Sequence, residues 1–303
     1  MSDQDANDTL FSPLESESLK RLQQKASTIV EALPYIQRFA GERVVVKFGG
    51  HAMRNSAIQE SFARDITLMR SIGIQVIVVH GGGPQIGALL KRLDVPSRFV
   101  GGMRVTDEET MRVVQMVLMG QVNPMLVSLI NGVGGRAVGL SGVDGMLLQA
   151  QRMTHPDGDL GRVGRVTRVD DTELRLLNHD GFIPVIAPIA VHPERLETLN
   201  VNADLAASAI AEHTIARKLV LMTDVEGLRG PDGVTVSSVT MSQARAWIAE
   251  GVITGGMIPK LECAFEALEA GVEKVHILDG GVQHALLLEL FTDQGVGTEV
   301  TLD

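Results

Sequence analysis

A chain of 303 residues with 45% hydrophobic and 21% charged residues has a globular composition and the length to build a sizeable core without staples. Aromatics are only 3%, and the formal net charge is −10 with a pI near 5.3; together these exclude base stacking and a broad nucleic-acid or anionic-membrane surface as the main activity. The single cysteine, Cys263, excludes an internal disulfide or a CxxC-type metal site. With no charged-then-apolar leader and no apolar stretch expected to approach about 18 residues, the expectation is a soluble, cytoplasmic protein away from membranes.

The chain opens on Asp3, Asp5, Asp8, Glu15 and Glu17 with no basic residue among the first 18, which reads as a solvated tail. Leu19, Leu22, Ala26, Ile29, Leu33 and Ile36 then recur at steps of three and four, the stripe of one α-helix, with Pro34 expected to bend it or start a second helix. Such a stripe suits either packing on its own domain or an arm against another subunit. Arg43–Phe48 and Gln75–His80 are short β-branched runs ending in glycine turns, followed by helical spacing over 56–70 and 84–93. The theme returns at 182–189, 218–223 and 274–278, while 135–168 reads as hairpins. The order points to an α/β fold, an open, mainly parallel twisted sheet with helices on both faces. A soft boundary falls near residue 190, where Pro184, Pro188 and Pro193 cluster. The expected organisation is therefore 1–38 for tail and helical arm, 39–190 for a first domain and 191–303 for a second.

No G-x-x-x-x-G-K-[ST], H-E-x-x-H or G-x-S-x-G occurs, and Ile86 stands where a dinucleotide fingerprint needs its last glycine. What does occur is a pair of glycine turns at predicted strand ends, Lys47-Phe-Gly-Gly50 and His80-Gly-Gly-Gly83. Glycine lets backbone N–H groups approach an anion closely, so Gly49, Gly50, Gly82 and Gly83 become phosphate-site candidates, with plain turn geometry as the alternative. Lys47 closes an apolar strand, where it either snorkels to water or meets a charge. Lys260 opens a predicted helix, a position unfavourable for a cation unless an anion joins it. Arg104, after Gly101-Gly102, could grip a carboxylate bidentately or lie free on the surface. Asn200-Val-Asn-Ala-Asp204 could cap the following helix or set Asp204 among lysines and magnesium around phosphates.

Those motifs, together with Gly102-Met-Arg-Val-Thr, Thr223-Asp-Val-Glu-Gly and Gly256-Met-Ile-Pro-Lys in this order, resemble the N-acetylglutamate kinases of the amino-acid kinase fold from about Ser18 to the end of the chain. The resemblance implies ATP-dependent phosphorylation of the side-chain carboxylate of N-acetyl-L-glutamate in arginine biosynthesis. It assigns the transferring phosphoryl group to Lys47 and Lys260, and the organisation of both to Asp204. Backbone donors would come from Gly49, Gly50, Gly82 and Gly83, substrate contacts from Gly82, Gly83, Arg104 and Asn200, and the nucleotide site from Asp224, Gly227 and Leu228. ATP would bring Mg2+ with it, and no protein-held metal is expected. The resemblance places the substrate in 39–190 and ATP in 191–303.

Glu31–Ile36 and the stretch 284–298 resemble the arm and effector region of arginine-inhibited members. That implies a homo-hexamer built as a trimer of dimers, inhibition by L-arginine at Tyr35, His276, Glu289 and Gly295, and a nitrogen-signalling protein as a further partner. Val143 and Gly281 depart from the pattern, standing where relatives carry lysine and arginine. The rival readings are a kinase of carbamate, aspartate or glutamate, and a non-catalytic arginine sensor. Retention of Lys47, Asp204 and Lys260 counts against the sensor. A carboxylate is already a nucleophile, so the reaction needs no Ser/His or Cys/His pair. Its requirements are in-line positioning and charge neutralisation. His80 and Cys263 accordingly read as structural.

Overall fold

The computed structural model describes residues 16–292 and 295–303; the acidic tail up to residue 15 lies outside them. Two compact units divide between residues 38 and 39. The first holds all but the last residue of helix α1 (Ser16–Phe39), which runs on through Pro34 as one element. Of the two expectations for Pro34, a bend or a second helix, the second is not met, since one missing donor leaves the hydrogen bonds of the flanking turns in place. Leu19, Leu22, Ile29, Val30 and Leu33 on α1 are exposed, so its apolar stripe is uncovered.

The second unit begins with β1 (Arg43–Phe48), α2 (Ser56–Ser71), β2 (Gln75–His80) and α3 (Gly83–Arg92). A short hairpin follows, β3 (Phe99–Val100) and β4 (Met103–Arg104), then helices α4 (Glu108–Val117) and α5 (Asn123–Gly132). Next come β5 (Ala137–Ser141), β6 (Leu148–Arg152), β7 (Val163–Val169), α6 (Thr172–His179), β8 (Ile183–Ala187), β9 (Ile189–Val191) and β10 (Thr198–Val201). The chain closes with α7 (Ala203–His213), β11 (Lys218–Thr223), β12 (Ser238–Thr240), α8 (Met241–Ala249), α9 (Met257–Glu269), β13 (Lys274–Asp279), α10 (Ala285–Leu290) and β14 (Thr298–Thr301).

The main sheet has eight strands in the order β12-β14-β13-β11-β1-β2-β8-β5, every neighbouring pair parallel except β13 with β14. Its central strands β1, β2, β11 and β8 are buried along nearly their whole length, which is why they read as unbroken apolar runs rather than alternating ones. Helices cover both faces. Four short strands, β10-β7-β6-β9, close into a small barrel beside the sheet.

Two expectations change here. The hairpin reading of 135–168 holds for antiparallel β6 and β7, but β5 is a parallel edge strand of the main sheet, paired with β8. The expected strand 182–189 also divides at Pro188: β8, which carries Pro184 within it, stays in the sheet, and β9 joins the barrel.

α4 and α5 are joined by one π turn, Leu118–Val122. The composite helix Glu108–Gly132 contains an 18-residue window of mean hydropathy 1.6, contrary to the expectation that no such stretch exists. Of that window 44% is buried, and Met111, Val114, Val117, Leu118, Val122, Leu126 and Ile130 of the helix lie in the core, as in an internal helix of a globular domain.

Candidate active site

Strand alternation turns Lys47 away from Val46 and Phe48, and its stem is buried at the C-terminal end of β1. Lys47 Nζ donates to the Met222 carbonyl at 3.3 Å and lies 3.0 Å from Asp204 Oδ1, an ion pair without hydrogen-bond alignment. From α9, Lys260 Nζ donates to Asp204 Oδ2 at 2.6 Å. The anion that a cation at this helix start requires is therefore Asp204 itself. Asn202 caps α7, its Oδ1 accepting from the N–H groups of Asp204 at 2.8 Å and Leu205 at 3.3 Å. Burial pushes the Asp204 carboxyl up, but Lys47 and then Lys260 outweigh it and hold the group at about 2. Two ammonium groups against one carboxylate leave one net positive charge at the cleft.

The two glycine turns lie side by side because the Gly81 N–H donates to the Phe48 carbonyl at 2.8 Å. At Gly49 a Cβ would sit 2.7 Å from Lys47 Nζ. Gly50 has φ +75°, and a side chain there would overlap the Asp224 carboxylate. At Gly82 a Cβ would overlap Leu118 Cδ2, whereas Gly83 has open space around it.

At the far end, the β3–β4 hairpin turns through Gly101 and Gly102 with φ of +55° and +76°, the positive pair that a two-residue hairpin demands. That turn sets Arg104, which donates from Nη2 to the Gly83 carbonyl at 3.0 Å and from Nη1 to Ser97 Oγ. Its guanidinium lies 4.7 Å over the Phe99 ring. Asn200 Nδ2 donates to Thr106 Oγ1 at 3.0 Å, and that hydroxyl donates to the Arg104 carbonyl at 2.8 Å. Between these ends is a cleft of about 270 Å³ lined by Lys47, Gly49, Gly50, Gly82, Gly83, Arg104, Asn200 and Asp204. Its apolar walls, Phe99, Met103, Leu118, Val163 and Pro188, were missed in the sequence.

The other expected residues lie elsewhere. Asp224 sits beside Gly50. Gly227, with φ +156°, packs on Thr298, whose Oγ1 accepts from the buried Leu228 N–H at 2.8 Å. His276 and Glu289 meet with Nδ1 2.6 Å from Oε1, and Glu289 Oε2 accepts from the N–H groups of Val296 at 2.7 Å and Gly297 at 3.1 Å. A Cβ at Gly295 would lie 2.7 Å from that same oxygen, while Tyr35 belongs to the first unit. Burial pushes the Glu289 carboxyl up, but the His276 bond and the turn amides bring it below its ordinary value. Burial pulls His80 down to about 4, so its ring is neutral. Burial also pushes the Cys263 thiol up to about 12, which makes it inert.

Among the described residues, no three His, Cys, Asp or Glu side chains cluster to hold a metal. Asp204 is the one acid among those lining the cleft, and both lysines engage it. This donor set fits a magnesium ion that arrives on phosphate oxygens better than one caged by the chain.

The sequence pattern of the amino acid kinase family matches residues 42–279. The acetylglutamate kinase of Pelobacter propionicus is 50% identical over 291 residues, covering 93% of this chain and 99% of that protein. N-acetylglutamate synthase from Neisseria gonorrhoeae, solved with coenzyme A and N-acetyl-glutamate, superposes with a TM-score of 0.83 at 27% identity over 92% of this chain, which spans 63% of the synthase's length. The same synthase, solved with coenzyme A and L-arginine, gives 0.79 at 26% identity, over 92% of this chain and 65% of that one. Carbamate kinase from Giardia lamblia bound to AMP-PNP gives 0.63 at 18% identity, over 87% of this chain and 99% of that one, a likeness of fold alone.

Proposed function

The chain belongs to the amino acid kinase family, and within it we propose that this protein transfers the γ-phosphoryl group of ATP to the side-chain carboxylate of N-acetyl-L-glutamate, giving an acyl phosphate for arginine biosynthesis. The observation that carries the reading is the Lys47–Asp204–Lys260 array, set in a glycine-lined cleft whose other end holds Arg104 and Asn200. One end of the cleft offers charge and backbone N–H donors for phosphate oxygens. The other offers a guanidinium for a carboxylate and an amide for an acylamino group.

The acceptor carboxylate is ionised at neutral pH and attacks without a base, so the chain's task is alignment and electrostatics. Lys47 and Lys260 face the oxygens of the transferring group, while Asp204 holds their ammonium groups from colliding. Gly49, Gly50, Gly82 and Gly83 give N–H donors on the same side. Arg104 keeps the substrate α-carboxylate in place, with Asn200 beside it. Asp224, Gly227 and Leu228 are assigned to the nucleotide. Magnesium bound to the nucleotide supplies neutralisation of its phosphate charge.

The proposal extends to feedback by L-arginine. The buried Glu289 carboxylate, with His276 and the positive-φ Gly295 against it, supplies an acceptor for a guanidinium. The uncovered stripe of α1 supports assembly through that arm, as in a hexamer; a nitrogen-signalling partner is carried by the resemblance alone, and a cytoplasmic location by the sequence alone. Trapping with hydroxylamine tests the chemistry: an acyl phosphate yields a hydroxamate that depends on both ATP and N-acetyl-L-glutamate. ADP formed without hydroxamate would place the phosphoryl group on another acceptor and refute the reading.

A further inference from the structure

The chemistry above gives His80 no acid–base work, yet the chain buries a histidine completely at the end of β2, next to the glycine turn. Its hydrogen bonds fix the ring. Nδ1 lies 2.8 Å from the Gly81 carbonyl, which only accepts, so Nδ1 carries the hydrogen. In a neutral ring Nε2 must then accept, and Asn123 Nδ2 stands 3.1 Å from it. The orientation of that amide is settled independently, because the same Nδ2 lies 2.8 Å from the Val185 carbonyl and 3.4 Å from that of Leu140. Room for Asn123 comes from Gly139 on β5, where any Cβ would overlap Asn123 Oδ1.

In a trans peptide the C=O and the following N–H point in opposite directions. A Gly81 carbonyl drawn toward the buried ring therefore turns the Gly82 N–H the other way. Gly82 lines the cleft, and its N–H has no hydrogen-bond partner among the described residues. Leu118, the first residue of the π turn, presses on Gly82 so closely that a Cβ would not fit. The peptide is thus held on one side by the ring and on the other by the turn that leads into Asn123.

We propose that His80 is a positioning residue: held in its Nδ1–H tautomer by Asn123, it orients the Gly81–Gly82 peptide so that the Gly82 N–H donates to the transferring phosphoryl group. The proposal rests on the phosphoryl-transfer reading of the cleft.

An asparagine can place its Nδ2 donor near the position of histidine Nδ1, whereas glutamine reaches the position of Nε2. His80→Asn is expected to keep kcat within about fivefold of wild type, and His80→Gln to lower it by at least about thirtyfold, with KM for both substrates moved less than about threefold. A merely structural histidine would give losses that follow the melting temperature, with the smaller asparagine at least as harmful as glutamine; that outcome overturns the proposal. Should both variants fail to fold, the unmodified protein still decides the matter. Nitrogen-15 spectra of histidine-labelled protein are expected to show His80 with its proton on Nδ1 at neutral pH, and a proton on Nε2 overturns it. A wild type without turnover would instead refute the kinase reading, so the two failures are distinguishable.

Discussion

Lys47 and Lys260 approach Asp204 from β1 and α9, and it is the order of motifs, not the spacing of these three residues, that names them together in the sequence. Each lysine in isolation reads as a strand-end or helix-surface residue, and only the 3.0 Å and 2.6 Å contacts make them one electrostatic unit. Losing one preorganised contact to developing charge costs about 3–4 kcal/mol of barrier. Lys47→Ala and Lys260→Ala are therefore each expected to fold, with turnover slower by at least about 100-fold in steady-state assays. Near-normal turnover in either would remove that lysine from the transferring group. The depressed carboxyl of Asp204 carries a pH consequence. A folded value of about 2 against an ordinary 3.8 means the ion pairs contribute stability that is full above about pH 4 and lost as pH falls toward 2. Asp204→Asn should flatten the acid limb of the stability profile in this window, and an unchanged limb would assign it to other carboxyls.

Among the elements, α2 is tied to the segment ahead of α10 through one buried carboxyl. Asp65 lies 2.6 Å from His284 Nδ1, and the His284 N–H donates to Ser61 Oγ at 2.7 Å. Burial raises Asp65 from 3.8 to about 6, with the His284 contact only partly opposing it. A folded value above the unfolded one means the fold binds this proton more tightly. Stability therefore falls as pH rises from about 4 to about 6, by about 3 kcal/mol at 1.36 kcal/mol per unit, and stays lower above that. Asp65→Asn is expected to match wild type in denaturant midpoint near pH 4 and to exceed it near pH 8. A variant weaker near pH 8 would show that the charged contact with His284 outweighs the cost of burial.

The elements also show what the sequence made legible. β1, β2, β11 and β13 were plain because they are buried, largely apolar runs stopped by turns. β5 was not, because Gly139 reads as a strand breaker until Asn123 is seen filling the space a side chain would take. The π turn at Leu118–Val122 was invisible because one extra residue in a helix does not alter its apolar spacing enough to notice. In the cleft, the charged and glycine residues announced themselves by type and motif. Its apolar walls did not, since Phe99, Met103 and Val163 belong to three separate strands whose meeting depends on tertiary contacts.

For the whole molecule, the two units carry different parts of the account. The glycine-lined cleft lies within residues 39–303, whereas the proposed assembly and its effector control draw on α1, with its uncovered Leu19, Leu22, Ile29, Val30 and Leu33. Removing residues 1–38 is expected to leave catalysis, reduce the assembly measured by light scattering, and abolish inhibition by L-arginine. Unchanged size and inhibition would refute the role of the arm.

The central claim, that this cleft phosphorylates an acetylated amino acid, is tested most directly by ADP release from purified protein given Mg-ATP and, in parallel, N-acetyl-L-glutamate, L-glutamate, L-aspartate or carbamate. The account predicts rapid release with N-acetyl-L-glutamate and little with the others. Equal release with unacetylated glutamate, or none with any acceptor, would contradict it.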